Sequence, residues 1–205
     1  MFCLTSCYLI RRAANYVDAY RIQPTTLEYV SSRSLLPRNL SLPQTTSSNH
    51  HFRGDTLMLP PSTSRNPNPQ LLITTTRGAS SDIRGWLSIF PLAVNGNFSS
   101  LKNIEEAGQA AERFQTPTSG GKANAIDILP KGEEDGLWIL LTDDDEVTAS
   151  RHGTGAVRVL EWNGWGKGGA KIVAEWPSVS DETALSIGSE EGENVQGASH
   201  AIWLD

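Results

Sequence analysis

Short runs of Leu, Ile, Val and Thr are separated by Gly-, Pro- and Asn-rich turns, and a group of four such runs occurs twice. Together these predict an all-β chain built as an incomplete β-propeller. The two groups lie near 55–115 and 124–177, each roughly 50 to 60 residues long, as expected for four-stranded blades. Each reads as a short run, a turn, a buried run, a loop, a third run, a tight turn and an outer run. The same strands would also build a β-sandwich; the repeat favours the propeller. The sequence therefore predicts two full four-stranded blades, part of another and a closing strand over 16–205, preceded by an irregular N-terminus over 1–15.

Residues 1–15 show neither the helical nor the strand period. YVDAYRI (16–22) alternates and predicts a strand, QPTT a turn, and LEYVSSRSLL (27–36) a second strand. The Pro-, Ser- and Thr-rich stretch 37–54 predicts a long surface loop. DTLMLPP (55–61) is a short apolar run stopped by Pro-Pro. QLLITTTRG (70–78) and GWLSIFPLAV (85–94) predict strands, and NGN (95–97) a turn. The stretch 98–115 holds good helix formers but also fits an outer strand. NAIDILP (124–130) opens the second unit. LWILLTDD (137–144) is continuously apolar, as expected of a strand covered on both faces. AVRVLEWNG (156–164) and AKIVAEWPS (170–178) follow. An acidic, polar stretch then leads to ASHAIWLD (198–205), which predicts a last short strand.

A chain of 205 residues makes one ordinary domain or part of a larger one. The net charge of −6 argues against a non-specific nucleic-acid binder, yet a few local arginines can still hold a small anion. The two cysteines, Cys3 and Cys7, build neither a disulfide framework nor a zinc site. No apolar run approaches the ~20 residues of a membrane helix. In MFCLTSCYLIRR the charge follows the apolar stretch, unlike a secretory signal. The expectation is a cytoplasmic protein without membrane or nucleic-acid partners. The sequons at Asn39 and Asn97 carry little weight without a secretion signal.

TPTSGGKANAI (116–126) places a polar, tightly bent segment directly before a strand. It is either an ordinary turn or the rim of a ligand site, where Gly-Gly lets the backbone approach a ligand closely. TDDDE (142–146) is either a hard-cation loop or a solvated acidic turn. His50, His51, His152 and His200 are scattered and make no metal-ligand pattern. GWGKGG (164–169) is Gly-rich but joins two strands and opens no helix, so it is not a phosphate loop. Trp86, Trp138, Trp162, Trp176 and Trp203 are expected in strands, packing blade on blade.

TPTSGGKANAI, LLTDDDE, VRVLEWNG and the terminal HAIWLD resemble the C-terminal portion of the fungal carboxy-cis,cis-muconate cyclase family, the 3-carboxymuconate lactonizing enzymes. TTTRG followed by GWLSIF resembles the preceding blade, and YVDAYRI…LEYV the outer strands of the blade before that. The resemblance covers most of 16–205. It implies a seven-bladed lactonase-type propeller that needs no metal or cofactor. The activity it implies is interconversion of 3-carboxy-cis,cis-muconate and its γ-lactone in aromatic-acid catabolism.

That substrate carries three carboxylates. One adds across a double bond, and the charge that develops beside a second must be stabilised and protonated. The chemistry asks for arginines that hold carboxylates bidentately, a cation at the developing charge and one general acid. Arg77 matches an arginine proposed as catalytic in the family and would bind a carboxylate and stabilise charge. Arg53 would face the central channel. Lys122, where the family often has His, would offer a positive charge, and Asn124 would donate to a carboxylate or close a turn. Asp55 is expected to cap a turn. The family's proposed catalytic His and Glu match no position here, so the general acid is unassigned. The partial ring implies open blade edges that favour self-association and a chain that is inactive if truncated. Two further readings are a 6-phosphogluconolactonase-like sugar-lactone hydrolase and a non-catalytic propeller fragment.

Overall fold

The computed structural model describes residues 6–41, 52–64, 66–100, 111–121, 124–132, 135–144, 156–176 and 200–204. They form three antiparallel sheets and almost no helix: an incomplete, propeller-like all-β fold. The first sheet has the order β1 (Ser6–Arg11), β2 (Tyr16–Ile22), β3 (Leu27–Ser34). The second runs β4 (Phe52–Met58), β5 (Leu71–Gly78), β6 (Trp86–Pro91), β7 (Glu112–Gln115). The third runs β8 (Ile126–Pro130), β9 (Leu137–Asp143), β10 (Ala156–Trp162), β11 (Lys171–Trp176). In the second and third sheets the strands follow one another as successive antiparallel neighbours, the meander of a propeller blade.

The period-2 alternation of β5 and β6 decides what packs where. Leu71, Ile73, Leu87 and Ile89 point to the third sheet. There they meet Ile126, Ile128, Ile139, Leu141, Leu160 and Trp162. Leu72 and Phe90 point the other way and meet Val17 of the first sheet and Leu35, just past the end of β3. The second sheet is thus the filling of a three-layer stack, which is why β5 is buried along almost its whole length. Each fully buried Leu, Ile or Phe in these layers contributes roughly 1.5–3 kcal/mol of burial free energy.

The first strands of the sheets come together at one edge, with β4 next to both β1 and β8. Gly54 allows this. Its N–H donates to the carbonyl of Arg12 at 3.1 Å, and a Cβ there would strike Ile10 and come within 2.9 Å of Leu35. On its other side, β4 reaches the entry of β8 through the Thr56 hydroxyl, which donates to the Asn124 carbonyl at 3.1 Å.

Four sequence expectations change. Residues 6–11, expected to be irregular, form β1, paired with β2 from Ser6–Arg21 to Arg11–Tyr16. The strand expected from Asp55 begins at Phe52, so Arg53 lies within β4 rather than before it. The stretch expected as a loop over 37–54 also holds a helical turn, α1 (Arg38–Ser41). The expected closing strand is absent from the described residues 200–204, which carry no strand. They are tethered instead: the Trp203 N–H donates to the Asp127 carboxylate at 2.8 Å. Of the ambiguous stretch 98–115, Glu112–Gln115 is the outer strand β7, and residues 101–110 lie outside the described set.

Candidate functional site

β4 carries a bulge opposite β5. Gly54 faces Thr76 and Leu57 faces Thr74, so Asp55 and Thr56 share the single partner Thr75. A bulge re-aims side chains, and here it turns a cluster of polar groups toward the entry of β8. The Thr75 and Thr56 hydroxyls donate to the Asn124 carbonyl at 2.7 and 3.1 Å. The Asn124 N–H donates to the Asp55 carboxylate at 2.7 Å, and its side-chain amide donates to the Thr76 carbonyl at 3.2 Å. Asn124, 1% exposed, is therefore the clamp between the second and third sheets. Its side-chain oxygen has no hydrogen-bond partner among the described residues. Asp55, expected to cap a turn, instead grips the neighbouring sheet.

One step toward the end of the strands, Arg53 stands directly opposite Arg77. Residues in register on neighbouring strands share a face, and the position of Thr75, two residues before Arg77, identifies it as the face toward the third sheet. Arg53 is exposed and Arg77 half-buried. The Arg77 Nη1 donates to the Gly121 carbonyl at 3.1 Å, while its buried Nε has no partner among the described residues. Neither arginine makes an ion pair among the described residues. Like charges placed opposite each other repel. The pair therefore forms a positive spot whose natural complement is an anion.

The 116–126 loop is the wall beside this spot. The Gly78 N–H donates to the Ser119 carbonyl at 2.8 Å, and the Gly85 N–H to the Thr118 carbonyl at 3.0 Å. Gly121 adopts φ 56°, and a Cβ there would come within 2.7 Å of the Asp144 carbonyl, so the turn requires glycine. The structure thus brings Arg53, Arg77 and Asn124 to one end of the second and third sheets. Lys122 lies outside the described residues, as do His50, His51 and His152.

A second arginine centre escaped the sequence reading. Arg158 of β10, 1% exposed, pairs through Nη1 with Asp143 and through Nη2 with Glu175 at 2.8 Å. Asp143 also accepts from the Thr118 hydroxyl at 3.1 Å, tying the 116–126 loop to the end of β9. This carboxylate, read in sequence as part of an acidic loop or cation site, belongs to a buried ion-pair network. The signal was present. In AVRVLEW, Arg158 falls on the same alternate positions as Ala156, Leu160 and Trp162, the buried face. Among the described residues no group of three or more His, Cys, Asp or Glu side chains is placed to hold a metal ion. No helix among them is long and apolar enough to cross a membrane.

An all-β, propeller-like chain with a paired-arginine spot beside a glycine-bent loop is the class that fold and site define. No protein-family model matches the chain. It is similar to muconate cycloisomerase 1 of Cutaneotrichosporon cutaneum, 27% identical over 140 residues that cover 67% of this chain. The match spans about a third of that relative's length, 32%. Among solved structures, a protein proposed to be a 6-phosphogluconolactonase from Bacteroides fragilis superposes with TM-score 0.49 at 15% identity. It covers 82% of this chain and 35% of that one.

Proposed function

We propose that the chain supplies the carboxylate-binding side of a cycloisomerase site, one that interconverts 3-carboxy-cis,cis-muconate and its γ-lactone in the cytoplasm. The observation that carries this reading is the cross-strand pair of Arg53 and Arg77, with no carboxylate partner among the described residues. The likeness to a muconate cycloisomerase supports it. A planar guanidinium meets a carboxylate through two parallel N–H···O bonds, and two guanidiniums side by side match a substrate with several carboxylates. Arg77 holds the carboxylate next to the carbon where negative charge develops, and the half-buried setting strengthens that interaction. Arg53, at the exposed edge, orients a second carboxylate. Lys122, which follows Gly121 in sequence, adds a positive charge. No residue described in this chain is assigned as the proton donor.

The test is an ultraviolet assay following loss of the conjugated diene of 3-carboxy-cis,cis-muconate, with Arg77→Ala alongside. Turnover that falls at least a hundredfold in the variant, about 2.7 kcal/mol of transition-state stabilisation, is the expected result. No turnover from cooperatively folded wild-type protein contradicts the reading. A second reading, hydrolysis of a phosphorylated sugar lactone, also rests on the arginine pair, because a guanidinium fork fits phosphate as well as carboxylate. Turnover of 6-phosphogluconolactone without turnover of the muconate selects it.

A further inference from the structure

The opposite end of the second and third sheets holds a feature that this reading does not use. A cavity of about 320 Å³ opens between the end of β4, the starts of β5 and β9 and the end of β10. Leu71 lines it and Arg77 does not. Arg77 lies six steps along β5 from Leu71, so the two ends lie about 20 Å apart. The volume is at the lower end of the range of small-ligand pockets.

Its floor is aromatic and fixed in advance. Trp162 is buried, and its indole N–H donates to the Glu112 carboxylate at 2.7 Å. The other oxygen of Glu112 accepts the Gly166 N–H at 2.8 Å. One carboxylate of the second sheet thus holds both Trp162 and the glycine-rich turn after it. Trp165, carried on that turn, stands edge-on to Trp162, with ring centroids 5.2 Å apart and planes at 84°. It is half-buried and lines the cavity. Around it stand Asp135 and Lys167, both exposed, and Gln70. Neither Asp135 nor Lys167 makes an ion pair among the described residues.

We propose that this cavity binds a neutral sugar ring stacked against Trp165. An aromatic face suits the apolar C–H face of a pyranose. The Asp135 carboxylate accepts from ring hydroxyls, and the Lys167 ammonium donates to them. Among the described lining residues one negative and one positive group give no net attraction for an anion, in contrast to the arginine pair at the other end. A wholly apolar ligand would make no use of either charge. The inference is independent of the function proposed for the arginine end.

The test is titration of the full chain with D-glucose, D-galactose, D-mannose, D-xylose and N-acetylglucosamine, read by tryptophan fluorescence and by calorimetry. A proline-rich decapeptide and inorganic phosphate serve as controls. Saturable binding of at least one sugar is expected. It should fall at least tenfold in Trp165→Ala and about tenfold in Asp135→Asn, the loss of one charge-assisted hydrogen bond, and stay unchanged in Arg77→Ala. Asp135 is exposed, so Asp135→Asn keeps the test valid if Trp165→Ala fails to fold. Absence of saturable binding by all five sugars overturns the proposal. So does sugar binding that Asp135→Asn leaves unchanged, or saturable binding of the decapeptide or phosphate alone.

Discussion

The Arg158 centre and the Arg53–Arg77 pair use the same side chain in opposite ways. Arg158 is almost wholly buried and has a carboxylate on each side, Asp143 and Glu175. Arg53 and Arg77 have each other across a ladder and one backbone carbonyl, that of Gly121. Asp55, the acid nearest to Arg53 in sequence, is turned to the Asn124 N–H. An arginine whose charge is already matched inside the fold holds β9, β10 and β11 together. A pair with no acid partner among the described residues can meet an anion from outside. What separates structure from function here is the partner, and not the residue type or its place at a strand end.

That contrast can be broken by substitution. Arg158→Ala should have the largest effect on stability, about 3–5 kcal/mol, because it removes the opposite charge from beside the buried Asp143 carboxylate; urea unfolding measures it. If Arg158→Ala unfolds at the wild-type midpoint, the centre is not structural. Arg77→Ala should behave in the reverse sense. Affinity for a tricarboxylate should fall by about 2–3 kcal/mol. Stability should move by less than about 1 kcal/mol, the worth of one hydrogen bond to a neutral carbonyl. Asp55→Ala lies between the two. It leaves the Asn124 N–H without its acceptor and should cost about 1–2 kcal/mol in the same unfolding experiment, with a smaller, indirect effect on ligand affinity.

The effect smallest at neutral pH belongs to the first sheet. Burial pushes the Tyr8 phenol up to about 12 from its ordinary 10, and its hydroxyl donates to the Gly96 carbonyl. Between those values the unfolded chain has lost the proton and the folded chain keeps it, so folding binds more protons and stability falls as pH rises. The Tyr8 contribution is complete below pH 10 and disappears as pH approaches 12. Unfolding free energy followed from pH 9 to 12 should drop more steeply in wild type than in Tyr8→Phe. Parallel curves would remove Tyr8 from the account.

The sequence made the strands legible wherever apolar alternation met a turn. YVDAYRI matches β2 residue for residue, and AVRVLEW matches β10. LWILLTD, continuously apolar, proves to be buried on both faces. β1 was hidden because SCYLIR is partly covered along most of its length and shows no clean inside and outside. The start of β4 was hidden because Phe52–Gly54 carry no period, and only the tertiary approach to Arg12 explains the glycine.

At the site, the residue types were visible but their pairing was not. Arg53 and Arg77 are 24 positions apart, and what sets them side by side is the register of β4 on β5, shifted by a bulge that no local pattern announces. Asn124 lies just before β8, and its role as an inter-sheet clamp depends on Asp55, Thr56 and Thr75 arriving from another sheet.

The most direct measurement is calorimetric titration of the folded chain with propane-1,2,3-tricarboxylate, an unreactive tricarboxylate, beside the Arg53→Ala/Arg77→Ala double variant. The account predicts saturable binding that weakens with added salt and disappears in the double variant while its unfolding midpoint stays close to wild type. Equal affinity in the two proteins, or no binding by folded wild type, would contradict it.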